Sequence, residues 1–339
     1  MKGKATSFDI AHYAGVSQST VSRALRNSHL VNEETRKRVF DIAKKLNYKV
    51  DKNASNLRTQ QSSTLALLLF EDPTSDESQI NPFFLAMLGS ITRACAKEGY
   101  DLLVSFQSAS ADWQADYEDS HRADGIILLG YGDYIDYQPK FNTLLEQNTK
   151  FVCWGATVDN RPDLTVCCDN YGGGKLAAEH FIAHSRTDCA FIGDASDHSP
   201  EFFSRFQGFK DELLANNVKI NERKTANAIS TEESGYHATR SLIANNIKFN
   251  ALFAASDLIA IGAIRALKEA NINVPKDVAV VGFDNIAIAS YVNPPLTTIE
   301  QNTTIAGQML VENLLKLIRG EDVQSTLLPP VLISRKSSS

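Results

Sequence analysis

The chain is poor in cysteine, and what it has is not arranged for chemistry. Cys95, Cys153, Cys167, Cys168 and Cys189 form no CxxC pair and have no histidine at zinc-ligand spacing. Free, buried thiols in a reducing compartment are expected, and no metal site. No apolar run approaches the roughly 20 residues that a membrane-spanning helix needs. The opening MKGKATS lacks the apolar stretch of a secretory signal, so a cytoplasmic protein with no membrane partner is expected. Enzyme chemistry also lacks its usual marks: there is no GxSxG context and no paired carboxylates in a helical motif, and the seven His are scattered. GYGDYID (130–136) lacks the GxGxxG spacing of a nucleotide loop, and Gly172-Gly173-Gly174, which starts a helix, reads as a tight loop with close helix packing rather than a phosphate cradle. Neither an enzyme nor a cofactor is expected.

What is present is divided unevenly. At 339 residues the chain is long enough for two or three compact units. Residues 1–60 hold twelve Lys/Arg against five Asp/Glu, a surplus of seven positive charges; the remainder, with 22 against 35, has a surplus of thirteen negative ones. A basic head on an acidic body implies that only the head meets a polyanion.

The head contains FDIAHYAGVSQSTVSRALR (8–26), which predicts two short helices, Asp9–Ala14 and Gln18–Leu25, joined at Gly15-Val16-Ser17. Gly15 suits a corner with positive φ, and Ser17 suits an N-cap for the amide of Thr20 or its neighbour. Ile10, Ala14, Val16, Val21 and Leu25 turn one apolar face inward. The opposite face of the second helix carries Gln18, Ser19, Ser22 and Arg23, short or forked hydrogen-bonding groups able to reach base edges in a major groove. This is a helix-turn-helix pattern. A third helix starts at Asn32 as cap, with Glu33 and Glu34 at the positive end of its dipole, and carries an apolar stripe of Val39, Ile42, Ala43 and Leu46. The stretch from Asn53 to Arg58 is too short for a stable isolated helix and runs into a linker-like Gln60-Gln61-Ser62-Ser63.

From Leu65 onward apolar strand runs alternate with helical patterns: LALLLF (65–70), DLLVSF (101–106), GIILL (125–129), FVCW (151–154), then AFIG (190–193), ALFAA (251–255) and VAVVGF (278–283). Continuous apolar strands separated by helices predict parallel sheets covered on both faces, here two doubly wound sheets in series.

DIAHYAGVSQSTVSRALRN, NEETRKRV, LNY and NAS-NLR resemble the DNA-binding domain and hinge of the lactose-repressor (LacI/GalR) family. CDNYGGGKLAAEHFI, SRFQGF, ALFAASDLIAIGAIRAL, VAVVGFDN and NPPLTTIEQN resemble its effector-binding body, a two-lobed fold shared with periplasmic sugar-binding proteins. The resemblance implies a helix-turn-helix domain at 1–50, a hinge at 51–63 and an effector-binding and dimerisation domain at 64–339. Lobe 1 is then expected at about 64–164 and 291–324, and lobe 2 at about 165–290 and 325–339. It further implies that Ser17, Gln18, Ser19, Ser22 and Arg23 meet the operator. Asn53, Ala54, Leu57 and Arg58 would form a hinge helix on the minor groove, with Leu57 as a wedge that kinks the duplex. Where the family often has Pro-Asn this chain has Val50-Asp51, with Asp51 placed to cap that helix.

For the body, the resemblance implies an effector held by Arg205 and Asp284, with Phe83, Phe84 and Trp154 as aromatic walls and Asp169 and Ser256 at strand ends; Asp257 is read as a helix N-cap. Ser230 stands where several relatives have an aromatic stacker. The expected function is a homodimeric repressor whose affinity for operator DNA is switched by a small effector, a sugar or sugar derivative. Alternatives are a purine-like corepressor, or a sugar-binding protein without a regulatory role. No heptad follows Arg335-Lys336, so a dimer is the expected assembly.

Overall fold

The computed structural model describes residues 5–48, 62–70, 80–107, 112, 115–130, 134–156, 165–219 and 221–339. The chain divides into two compact units, Met1–Ser62 and Ser63–Ser339.

The smaller unit contains α1 (Ser7–Ala14), α2 (Gln18–Leu25) and α3 (Glu33–Lys45). α1 begins two residues earlier than its apolar pattern indicates, because Thr6 and Asp9 form a capping box. The Asp9 carboxylate accepts the Thr6 N–H at 2.7 Å, and the Thr6 hydroxyl accepts the Asp9 N–H at 3.3 Å. Gly15 ends the helix at φ 66°, a conformation that costs a residue with a Cβ. Ser17 then caps α2 through the Thr20 N–H at 3.2 Å, and Asn32 caps α3 through Thr35 at 2.8 Å. Ile10, Ala14, Val21, Ala24, Val31, Val39 and Ala43 are buried together, while Val16, Leu25, Ile42 and Leu46 are partly buried around them.

In the larger unit one sheet joins β1 (Thr64–Phe70), β2 (Asp101–Gln107), β3 (Ile126–Leu129), β4 (Phe151–Trp154), β5 (Thr165–Cys168) and β11 (Thr326–Leu328), in the order β11-β5-β4-β3-β1-β2, with every pairing parallel. The other joins β6 (Cys189–Ile192), β7 (Thr225–Ala226), β8 (Ala251–Ala254), β9 (Ala279–Asp284), β10 (Thr297–Glu300) and β12 (Val331–Ile333), in the order β12-β10-β9-β8-β6-β7. This second sheet departs from all-parallel at β12, which runs antiparallel to β10. The helices are α4 (Pro82–Lys97), α5 (Tyr134–Glu146), α6 (Asn170–Ala183), α7 (Pro200–Ala215), α8 (Glu232–Ala244), α9 (Asp257–Glu269) and α10 (Thr303–Ile318). β3, β4, β5, β6, β8 and β9 are buried along their whole length, as strands covered on both faces must be.

The lobe boundaries lie later than the sequence reading put them. β5 pairs with β4 and so belongs to the first sheet; the chain crosses only after Cys168. β10 pairs with β9 in the second sheet, so the return crossing follows Glu300 rather than Tyr291. β11 pairs with β5, and the last crossing comes at Pro329-Pro330, between β11 and β12. Each crossing therefore occurs where a strand has finished pairing. Only partner strands distant in sequence mark such a point.

The helix expected from Gly172 begins at Asn170, so all three glycines lie within α6. The expected close packing is present: a Cβ on Gly174 would stand 2.0 Å from the Arg205 carbonyl oxygen, and one on Gly208 1.9 Å from that of Tyr171. α6 and α7 thus touch backbone to backbone, which sets the position of Arg205. The five cysteines are buried and form no disulfide. Among the described residues no helix is long and apolar enough to cross a membrane.

Candidate functional site

Two surfaces carry the chemistry, one in each unit. On α2 the buried side is Val21 and Ala24. Ser19 and Arg23 on the other side are exposed, Gln18 and Ser22 are half-buried, and Ser17 is exposed at the cap. Ser17 Oγ lies 2.8 Å from both the Ser19 and Thr20 hydroxyls. Gln18 Nε2 donates to Ser7 Oγ at 3.3 Å, and Arg26 donates to Ser22 Oγ at 3.2 Å. The face therefore presents donors and acceptors held in place by local bonds, with an Arg fork at its centre. Asn53, Ala54, Leu57 and Arg58, together with Asp51, lie outside the described residues.

In the larger unit the carboxyl ends of the strands from both sheets converge, the position where open α/β sheets bind ligands. Arg205, from α7, is only 1 % exposed. Its Nε donates to Asn170 Oδ1 at 2.8 Å and its Nη1 to the Ala255 carbonyl at 2.5 Å. The guanidinium stacks 3.8 Å from the Phe283 ring centre. Asp284, at the end of β9 and 4 % exposed, lies 3.7 Å from Arg205 Nη1 and accepts a 2.6 Å hydrogen bond from Gln301 Nε2. Asp284 has φ 112° and Asn285 φ 52°, a sharp strained turn of a kind that costs on the order of 1–3 kcal/mol. The strain sits where the carboxylate is aimed, and the surrounding bonds hold it.

A cavity of about 300 Å³ opens beside this pair, lined among others by Phe83, Asp284, Asn285, Glu300 and Gln301. Phe83 supplies its aromatic wall. Phe84 packs edge-on behind Phe83 at 5.3 Å, and Trp154 lies 5.9 Å from Phe83; both are buried in the core cluster. Asp169 caps α6, accepting the Gly172 N–H at 2.8 Å.

The cap of α9 is Ser256 rather than Asp257. Ser256, with extended backbone, is the N-cap of α9, accepting the Ile259 N–H at 3.4 Å and the Ser230 hydroxyl at 2.9 Å. It is fully buried, and in both of these bonds its hydroxyl oxygen is the acceptor. Asp257 is the first helical residue, wholly buried, accepting Thr298 Oγ1 at 2.6 Å and the Ile286 N–H at 2.9 Å. Burial, reinforced by the Asp284 charge, pushes its carboxyl well above the usual range. It ties the turn that follows Asp284 to α9. Burial likewise pushes the Cys168 thiol, at the end of β5, up to about 12, which leaves it an inert apolar group.

Several participants escaped the sequence reading. Asn170 and Gln301 hold the Arg205–Asp284 pair from either side. Asn81, whose Oδ1 caps α4 through the Phe83 N–H at 3.0 Å, donates from Nδ2 to Ser230 Oγ at 3.2 Å. Glu201, in the first turn of α7, accepts the Ala156 N–H at 2.9 Å. Both of these bonds join a residue beside the first sheet to one beside the second. The available signal was a polar residue immediately after a buried strand or at a helix start.

Two family patterns match the chain: bacterial regulatory proteins of the lacI family over residues 8–51, and the periplasmic binding protein-like domain over residues 178–338. The chain is 31% identical to the HTH-type transcriptional repressor PurR of Photorhabdus laumondii, over 98% of this chain and 96% of that one. It is 28% identical to the ribose operon repressor of Escherichia coli K12, over 98% and 100%. Its structure is similar to that of the Lac repressor dimer bound to operator and the anti-inducer ONPF, with a TM-score of 0.85, 26% identity and coverage of 99% of each chain. With a helix-turn-helix head, a two-lobed body in that order and near-complete alignment to such a repressor, this chain belongs to the LacI family, as a DNA-binding transcriptional repressor with an effector-binding body.

Proposed function

We propose that the protein is a homodimeric cytoplasmic repressor in which a sugar or sugar derivative, bound between the lobes, sets the affinity for operator DNA. The observation that carries the effector reading is the buried Arg205–Asp284 pair beside the Phe83-walled cavity. A carboxylate and a guanidinium held rigidly side by side can engage neighbouring hydroxyls, and the aromatic wall covers the apolar C–H face of a sugar ring. Asp169, at the end of β5, is the further acceptor in this reading. Phe84 and Trp154 support Phe83 from behind.

On the DNA side, Ser17, Gln18, Ser19, Ser22 and Arg23 read base edges in the major groove. The +7 head supplies the non-specific attraction. A two-fold dimer presents two such helices to a pseudo-palindromic operator with half-sites about one helical turn apart. From the family resemblance, Asn53, Ala54, Leu57 and Arg58 form the hinge helix on the minor groove. The effector acts by linkage: it shifts the equilibrium between lobe arrangements only by the difference in its affinity for them. The Asn81–Ser230 and Glu201–Ala156 hydrogen bonds are among the contacts that such a shift makes or breaks.

A thermal-shift screen of mono- and disaccharides alongside purine bases, followed by operator binding with each hit, tests the reading. A sugar that raises the melting temperature and changes operator affinity is the expected result. A response to purines alone would replace the sugar with a purine-like corepressor. Leu57→Ala is expected to reduce DNA bending and operator affinity with effector affinity unchanged; unaltered bending in gel mobility would remove the wedge.

A further inference from the structure

The charged side chains that line the cavity are acidic, and Arg205, beside Asp284, is held by several partners. Asp284 and Glu300 line the cavity, Asp169 caps α6 at the end of β5, and Glu201 reaches from α7 to the Ala156 amide. Against these, Arg205 donates to Asn170 and Ala255, stacks on Phe283 and pairs with Asp284. Arg335 donates to the Leu296 carbonyl and to Asn285 Oδ1, so its charge is held behind the cavity wall.

Helix N-termini would be the other source of anion affinity, since their first amides lack intrahelical partners. α4, α6, α9 and α10 all begin at this end of the sheets, and each carries a side-chain cap. Asn81 accepts from Phe83, Asp169 from Gly172, Ser256 from Ile259 and Asn302 from Ile305. α7 has no such cap, but Glu201 occupies its first turn. Each cap accepts one amide and sets a side-chain oxygen over its helix start, and the described residues that line the cavity include two carboxylates, Asp284 and Glu300, and no lysine or arginine.

From this arrangement we infer that the effector is electrically neutral, and that the cleft discriminates against the acid or phosphate form of the same sugar. The inference rests on the sugar reading for its choice of probes, while its electrostatic content applies to any small molecule. Like charges about 6 Å apart at an effective dielectric of about 20 disfavour binding by roughly 100-fold. Glu300 is one such charge, placed on the wall by the Asn285 Nδ2 bond at 2.8 Å.

The test is differential scanning fluorimetry of the full chain with matched pairs: glucose and glucuronate, galactose and galacturonate, ribose and ribose 5-phosphate, with hypoxanthine and inorganic phosphate beside them. Titration of each responsive pair gives its two affinities. No anion should raise the melting temperature of the larger unit as its neutral partner does, and any pair that binds should favour the neutral member by about 100-fold. In Glu300→Gln that preference should narrow severalfold while the neutral member still binds. A uronate or sugar phosphate that binds as tightly as its neutral partner, or more tightly, overturns the inference, as does stabilisation of the larger unit by phosphate. Binding of hypoxanthine with silence from every sugar would remove the sugar reading and leave the neutral-effector inference standing.

Discussion

The head and the body treat polar side chains in opposite ways. On α2, Ser19 and Arg23 are exposed and make their bonds locally, whereas in the body Arg205 and Asp284 are almost wholly removed from solvent. A surface that meets a large polyanion can stay hydrated until contact, because the partner brings its own charge and releases counterions. A site for a small molecule has few contacts to make, so each must be rigid and desolvated. The body therefore holds a strained turn at Asp284 and an enclosed ion pair, and surrounds both with Asn170, Gln301 and Asp257. Glycine follows the same division. Gly15 supplies a positive φ in the head, while Gly174 and Gly208 let two helices of the body meet.

This contrast predicts that damage to the body propagates into stability and damage to the head does so only weakly. The largest effect is expected from Gly208→Val, which would force a side chain against the Tyr171 carbonyl; overpacking of this kind costs about 3 kcal/mol or more. Thermal unfolding should show the larger unit strongly destabilised. If the transition is unmoved, the α6–α7 contact is not what positions Arg205. Next, Asp284→Ala should cost about 3 kcal/mol by leaving a buried guanidinium without its carboxylate, and should abolish the effector-induced rise in melting temperature. An unchanged ligand shift would dissociate the pair from binding.

Arg23→Ala should leave thermal stability unaltered and weaken specific operator binding by about 1–3 kcal/mol, with a smaller loss on unrelated DNA. Equal losses on both would reduce Arg23 to a phosphate contact. Thr6→Ala, which removes half of the capping box, should cost the head about 1 kcal/mol and be visible as weaker amide protection in α1.

The most confined effect concerns pH. His180 is buried on α6 and shares a 2.7 Å hydrogen bond between its Nε2 and Ser338 Oγ. Burial, with the neighbouring His184 charge, lowers its pKa from 6.5 to about 4. Between those values the unfolded chain binds a proton that the folded chain does not, so stability falls as pH drops from about 6.5 towards about 4. His180→Gln should flatten that part of the profile; identical slopes would show that His180 titrates normally.

Legibility differed between the two regions for a physical reason. The head is built from contacts within a few residues, and Gly15, Ser17, Asn32 and the apolar stripes could be read directly from spacing. Its one misplacement, the start of α1, arose because Thr6 precedes the apolar pattern it caps. In the body, apolar runs announced the strands, but the ends of the lobes depended on pairings such as β5 with β11, which lie about 160 residues apart. The cap of α9 falls on Ser256 instead of Asp257 because either side chain can cap a helix, and only backbone geometry decides which one does. Arg205 and Asp284 were recognised singly; their partners Asn170 and Gln301 were present in the motifs but had no local sign of their role.

By itself, then, the sequence determined a basic three-helix head, an acidic body of two wound sheets, and the residue types at the strand ends. Local periodicity, capping chemistry and charge are properties of neighbouring residues. The tertiary structure decided where the chain crosses between sheets, which strand-end side chains face the cavity, and that the buried Arg205–Asp284 pair stands beside a cavity lined also by Glu300. Those are distances between residues remote in sequence, and they exist only once both sheets have closed around the same cleft.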